Sequence, residues 1–499
     1  PGSTEADAAV KLTLDSYNTL NDYDGLMYAS RRFLASGSPA SGKLKIEIKR
    51  VLAATEQRKL DELSLQAAGE EGGDLTPLIA FAEKNKGSDL GERALINAFV
   101  AARAIGDTER MYKLADSIAK TYPKSDQLPG IYTTLAQTAV ARFDYDEATE
   151  FMKRAASVNP AQRVQLLVTA AELNEQLGNI KKAESLFKDA VKGSSGPEQA
   201  EALSKMAPLV ERYGGIKGVK KELSPYESLG ESETNVRLGL SMIASGDAEG
   251  AEVAFQSVLN TDTASGEAVA RAHFGMAEVM LSVINEYPTL EDLDLIEEFI
   301  LLVEVSQQSY LNAARQGSTH YTAAALSRLS YALELCATKI DGAPMPQGLT
   351  PGQQKQVKAA LSARVEQFRA DAKQALEACG NQAWTTSSFT PVVRDCMEGK
   401  AFNKTLVPYD KFANRKSKGV KGLDDLRAEL SKNPENIEKL RELGIRFLDG
   451  NDPHSARLVF ASSIQVGGGA VEQNLMGVAS YEIGDYTGAF EGFARAAEG

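Results

Sequence analysis

The chain is poor in the residues that usually carry chemistry. Histidine occurs only at His273, His320 and His454 in 499 residues. No two of them stand four apart, the spacing that puts a metal pair on one helix face, and none neighbours a cysteine. Cysteine is confined to Cys336, Cys379 and Cys396. Zinc-type spacing would be tighter and would need a fourth ligand. There is one Trp, and aromatics make up 7%, so the interior cannot rest on large rings alone. No run of about 18 uninterrupted apolar residues is present, which excludes a transmembrane helix in this sequence. Cations are outnumbered, 55 Lys and Arg against 68 Asp and Glu, for a formal charge of -13. That balance argues against general nucleic-acid binding and against wrapping on anionic lipid. The G-x-x-x-x-G-K-[ST], G-x-S-x-G and strand-linked Rossmann signatures are all missing. No catalytic residue, metal or cofactor is expected, and the chain reads as a non-enzyme.

What remains is ordinary globular material, 43% hydrophobic and 25% charged, in a length that suits several domains or one repeat array. A repeat is visible. Residues 132–160 read YTTLAQTAVARFDYDEATEFMKRAASVNP, two apolar-periodic stretches broken at Phe143-Asp144-Tyr145. Helical spacing puts Ala136, Ala139 and Val140 on one face, and Ala148, Phe151, Met152 and Ala155 on another. Pro160 stops the second stretch, because proline lacks an amide donor. The layout recurs with Gly106-Asp107, Met111, Ala115, Ile118 and Pro123, and again with Gly178-Asn179, Ala183, Phe187 and Ala190. It recurs with Gly239, Gly246-Asp247, Ala251 and Phe255, and with Gly444, Asn451-Asp452, Ala456 and Phe460. The last copy has Gly477, Gly484-Asp485-Tyr486, Ala489 and Phe493.

These offsets resemble the tetratricopeptide repeat: a small residue in the first helix, a Gly-Asp turn, then Ala, an aromatic and Ala in the second. The resemblance implies an all-α fold, an α-solenoid of antiparallel helix hairpins of about 34 residues each, stacked as a right-handed superhelix with a concave wall. Small residues let paired helices approach, the aromatic fills the gap to the next hairpin, and Asp caps the second helix. The first helices would line the wall. Their outward positions give Arg93, Asn97, Thr133, Gln137, Thr169, Glu172, Arg237 and Arg441 as a partner-binding groove for a peptide or helix. The family's carboxylate clamp of successive Lys and Asn is not reproduced beyond Arg93 and Asn97.

Elsewhere the pattern is worn. We expect degenerate hairpins over 4–91, the repeat array over 92–265, divergent helical repeats with an acidic-apolar insert at 289–305 over 266–380, an irregular basic linker over 381–422, and C-terminal repeats over 423–499. The linker carries Lys404, Lys411, Arg415, Lys416, Lys418 and Lys421, with Asp410 the only acid among them, and reads as a solvated tether or, alternatively, as a docking segment for an acidic partner or a neighbouring part of the same chain. His454 is expected exposed in a turn, and His273 packed on an apolar face. The opening Pro1-Gly2-Ser3 reads as a cleaved-tag remnant, and the chain is expected to be a piece of a longer protein.

The clustered cysteines leave three readings: a Cys379–Cys396 bridge, a Cys336–Cys379 bridge, or free thiols. Either bridge fits an oxidising compartment such as a bacterial periplasm. The Leu349-Thr350-Pro351 helix start, after a Cys-bearing helix and before a long charged helix ending near Cys379, is similar to periplasmic tetratricopeptide proteins of gliding-motility complexes. That resemblance implies a component of a cell-envelope machine for motility, secretion or outer-membrane assembly. The alternative is a cytoplasmic adaptor, or a regulatory module of a larger enzyme. In either case the partners are other proteins.

Overall fold

In the computed structural model, residues 2–69, 73–404, 407–416 and 419–499 are described. Pro1 of the expected tag remnant and Lys418 of the basic cluster lie outside them. Among the described residues every regular element is helical and no strand occurs. None of these helices is long and apolar enough to cross a membrane. The chain divides into two compact units, Pro1–Pro160 and Ala161–Gly499.

The first unit contains α1 (Thr4–Thr19), α2 (Tyr23–Leu34), α3 (Gly42–Ala67), α4 (Thr76–Lys84), α5 (Asp89–Ala104), α6 (Thr108–Thr121), α7 (Leu128–Ala141) and α8 (Tyr145–Val158). Each packs on the next, and the long α3 also reaches α5. The small residues sit where close approach requires them: Ala98, Ala139, Ala148 and Ala155 are all 0% exposed. Between α5 and α6, Gly106 takes φ +70°. Asp107 then caps α6, accepting from the Arg110 amide at 2.9 Å. Between α7 and α8 the left-handed position is held by Phe143 at φ +57°, where the other turns favour glycine.

The second unit begins with α9 (Arg163–Gln176), α10 (Ile180–Lys192), α11 (Gly196–Leu223), α12 (Ser232–Ile243) and α13 (Ala248–Leu259). It continues with α14 (Gly266–Glu286), α15 (Leu293–Arg315), α16 (Thr319–Asp341) and α17 (Pro351–Gly380), then the short α18 (Gln382–Thr385) and α19 (Pro391–Met397). The remaining elements are α20 (Asp424–Lys432), α21 (Ile437–Asp449), α22 (Pro453–Gln465), α23 (Ala470–Ile483) and α24 (Tyr486–Glu498). α11 is itself a hairpin, broken at Gly215 with φ +59°. The acidic-apolar insert at 289–305 supplies most of the first half of α15, which packs between α14 and α16.

Neighbouring helices pair from α9 to α17 and again from α20 to α24, and α9 with α11, α12 with α14 and α14 with α16 also touch. The first helices of successive hairpins therefore form one continuous face, the α-solenoid arrangement. The glycine and aromatic positions interlock as the repeat requires. A β-carbon on Gly239 would stand 2.6 Å from the Phe255 ring, and one on Gly275 would clash with the same ring. Gly444 seats Phe460 and Gly477 seats Phe493 in the same way. Phe255 is 0% exposed, and such burial stabilises by about 1.5–3 kcal/mol.

The stretch expected as a solvated linker, 381–422, is corrected in part. Among the described residues its backbone is irregular between α19 and α20, as composition implied. Its side chains nevertheless enter the core: Val392, Val393, Cys396, Phe402 and Val407 are all buried in the cluster that runs through α12–α17. Cys379 and Cys396 are joined as a disulfide with Cα atoms 5.9 Å apart, tying the end of α17 to α19, while Cys336 is a buried free thiol.

Candidate binding surface

Residues 402–404 and 407–415 lie along the first-helix face of the second unit and form a strap outside any helix. At one end the Phe402 amide donates to Ser327 Oγ on α16 at 2.8 Å. Next, the Tyr409 ring stacks on His320 at the start of α16, centroids 4.0 Å apart. The Tyr409 hydroxyl accepts from Arg271 Nη2 on α14 at 2.7 Å. Phe412 lies under two guanidinium groups, Arg212 of α11 at 4.7 Å and Arg457 of α22 at 5.8 Å. The Ala413 amide donates to Ile483 O at 2.7 Å, and the Arg415 amide to Gly178 O, just past α9, at 3.1 Å. The strap thus runs from α16 towards α9, opposite to the chain order of the first helices.

A buried charge cluster anchors its centre. Glu211 of α11 accepts from Arg271 Nη1 at 2.7 Å and from Arg237 Nε at 3.1 Å. Burial alone would raise the Glu211 carboxyl, but Arg271 and Arg237 outweigh it and hold it at about 2. Burial, aided by Arg271, pushes the His320 imidazole down to about 3, so the ring facing Tyr409 is neutral at ordinary pH. Its Nε2 is buried without a hydrogen-bond partner. Arg271 also lies 4.7 Å over the Tyr321 ring. A cavity of about 210 Å³ remains between strap and wall, lined by Glu211, Arg237, Ser241, Val407, Tyr409 and Lys411 among others.

The far end fastens the C-terminal hairpins. Arg415 Nε donates to Asp452 Oδ2 at 3.0 Å, and Asp452, the cap of α22, is fully buried. His454 corrects the expectation of an exposed turn residue: it is 2% exposed. Its Nδ1 lies 3.2 Å from Gln176 O and its Nε2 2.7 Å from Ala413 O. Burial lowers its pKa, and the two carbonyls oppose that shift. His273 is partly buried and likewise lowered by burial. Asp410, the lone acid of the basic segment, pairs with Arg394 at 2.9 Å.

The residues read from sequence as a groove behave differently from one another. Arg237 is corrected: it is 3% exposed and committed to Glu211 and Glu233 beneath the strap. Arg441 reaches Glu472 at 2.6 Å and laces α21 to α23. Glu172 pairs with Lys205 at 3.2 Å, linking α9 to α11. In the first unit, Arg93 donates to Gln57 at 2.6 Å and Asn97 to Ser64 at 2.9 Å, both lacing α5 to α3. Thr133 and Thr169 bond back to their own helices. Gln137 is exposed. These outward positions therefore hold helix to helix more often than they face solvent alone. Sequence reading missed Glu211, Arg271, His320 and Tyr409 as a group; their common signal, polar residues at first-helix positions, was visible only for Arg237.

No family model matches the chain, and no curated protein matches it in sequence. Among solved structures, one described as "Structure of Naa15/Naa10 bound to HypK-THB" is similar at 13% identity and a TM-score of 0.26, over 95% of this chain and 66% of that one. The chain spans just under two thirds of the length of the structure it matches.

Proposed function

We propose that the protein is a non-enzymatic scaffold for protein–protein interaction, built from tetratricopeptide-like hairpins and working in a bacterial cell-envelope complex of the gliding-motility, secretion or outer-membrane-assembly kind. The observation that carries the scaffold reading is the strap. A first-helix face that seats an extended polypeptide through stacked rings, charge-assisted hydrogen bonds and backbone contacts has the surface chemistry of peptide recognition. In the second unit that face is filled in cis. The face offered to a partner is the first-helix face of the first unit, where Gln137 is exposed. The envelope assignment is supported by the Cys379–Cys396 disulfide, which persists only where thiols are not kept reduced.

The test is the thiol state in the native cell. Thiols are blocked with a permeant alkylating agent before lysis, and the peptides holding Cys379 and Cys396 are weighed by mass spectrometry. A bridged pair is the expected result. Both thiols alkylated in freshly blocked cells would remove the envelope reading and leave a cytoplasmic adaptor. In vivo photo-cross-linking from a photoreactive residue placed at position 137 tests the scaffold reading separately: a protein adduct that excess wild-type chain competes away supports it, and no adduct contradicts it.

A further inference from the structure

A second surface, in the first unit and separate from any first-helix groove, has the form of a missing helix. α3 packs against both α2 and α4, while α2 and α4 are not packed on each other. The gap between them holds an open groove of about 930 Å³. Its two walls are helical stripes. On α2 the stripe includes Met27, Tyr28, Arg31 and Arg32; on α4 it includes Pro77, Phe81 and Lys84. Both follow the i, i+3, i+4, i+7 spacing of one helix face. Leu63 and Lys59 of α3 form the floor.

The groove is apolar below and cationic above. Met27, Leu63 and Phe81 are each 7% exposed, so the floor is already nearly dry. Tyr28 stands 66% exposed at the rim, an aromatic with no neighbour to cover it. Arg31 is engaged by Glu56 and Lys59 by Asp24 and Glu62. The Arg32 and Lys84 side chains form no ion pair among the described residues. Asp24 is the single acid in the lining, in a chain whose overall charge is -13. This local reversal of sign is a specificity signal, because it attracts what the rest of the surface repels.

We propose that this groove docks an acidic amphipathic helix of a partner protein, its apolar stripe on Met27, Leu63 and Phe81 and its carboxylates on Arg32 and Lys84. The concave shape does not suit a flat bilayer, and the apolar floor does not suit a phosphate backbone. A second copy of this chain is the competing occupant, and light scattering tests it. The inference names a partner class for the scaffold but uses residues apart from the strap and the first-helix face, so either can fail alone.

The probe is a fluorescein-labelled synthetic helix of about five turns, with leucines at i, i+3, i+4 and i+7 and glutamates on both flanks. A control peptide keeps the leucines and replaces every glutamate with lysine. The full chain is expected to bind the acidic peptide about tenfold or more tighter than the basic one by fluorescence anisotropy. The double variant Arg32→Glu with Lys84→Glu should invert that preference while keeping the wild-type helical circular dichroism and melting point, since both residues are exposed. Equal affinity for the two peptides, or none for either, overturns the proposal. So does a preference left unchanged by the double variant, binding to phosphatidylglycerol vesicles in place of the peptide, or a concentration-dependent dimer in light scattering that the variant abolishes.

Discussion

Tyr409 stacks on His320 with the ring planes 14° from parallel, and its hydroxyl accepts a hydrogen bond from Arg271. A residue from a stretch without secondary structure is thereby locked to two helices whose side chains it meets only in the folded chain. The strap acts as a clasp: it covers the first-helix face of the second unit and holds the C-terminal hairpins through Arg415 and Asp452.

Tyr409→Phe keeps the stack and removes the hydroxyl. Arg271 Nη2 then loses its acceptor in a buried site, at a cost of about 1–3 kcal/mol. Urea unfolding should report that loss, and Tyr409→Ala should lose more. Limited proteolysis should then cut between α19 and α20 in the alanine variant before any cut elsewhere in the second unit.

The helical framework was legible because its determinants are local. Gly239, Gly444 and Gly477 stand at fixed offsets from Phe255, Phe460 and Phe493, and each pair meets across its hairpin. The turns were legible for the same reason, save that Asn21, Phe143 and Asn451 hold left-handed positions without being glycine. The clasp was not legible. Tyr409 and Arg271 are 138 residues apart, and Arg237 finds its acid 26 residues upstream. No periodicity marks such pairings, so a basic, glycine-containing segment read first as a tether, with docking on its own chain only the alternative, and Arg237 read as a free groove residue.

Gly275→Ala tests the packing of the repeats. The added methyl would meet the Phe255 ring, which is already closed in by Gly239, and overpacking of this kind costs about 1–3 kcal/mol. Combining Gly275→Ala with Phe255→Leu should recover part of the loss. Strict additivity of the two changes in denaturant unfolding would mean that the residues do not touch.

The clasp should weaken in acid. His320 has a folded pKa of about 3, below its ordinary 6.5, so its neutral form stabilises the fold above pH 6.5 and that contribution fades as pH falls towards 3. Glu211, held at about 2 against an ordinary 4.5, adds a second loss as pH drops from 4.5 towards 2. Both act in the same direction. His320→Phe retains a ring for Tyr409 and removes the first titration, so its stability should change less than that of the wild type between pH 6.5 and pH 4.5. Parallel curves for the two proteins would show that His320 does not titrate on unfolding.

Cys336 should be inert in the folded protein. It is 0% exposed, and burial pushes its thiol up to about 12, so almost no thiolate forms at neutral pH. Iodoacetamide should modify it only at the rate of unfolding, which intact-mass measurement across a urea series will show.

The central claim is that residues 407–415 are seated across the first-helix face. Hydrogen exchange read at single amides tests it most directly, because Ala413 and Arg415 lie outside any helix yet donate to Ile483 O and Gly178 O. The account predicts that both amides exchange as slowly as those in the middle of α22. Exchange at the rate of an unstructured peptide at both positions would contradict it.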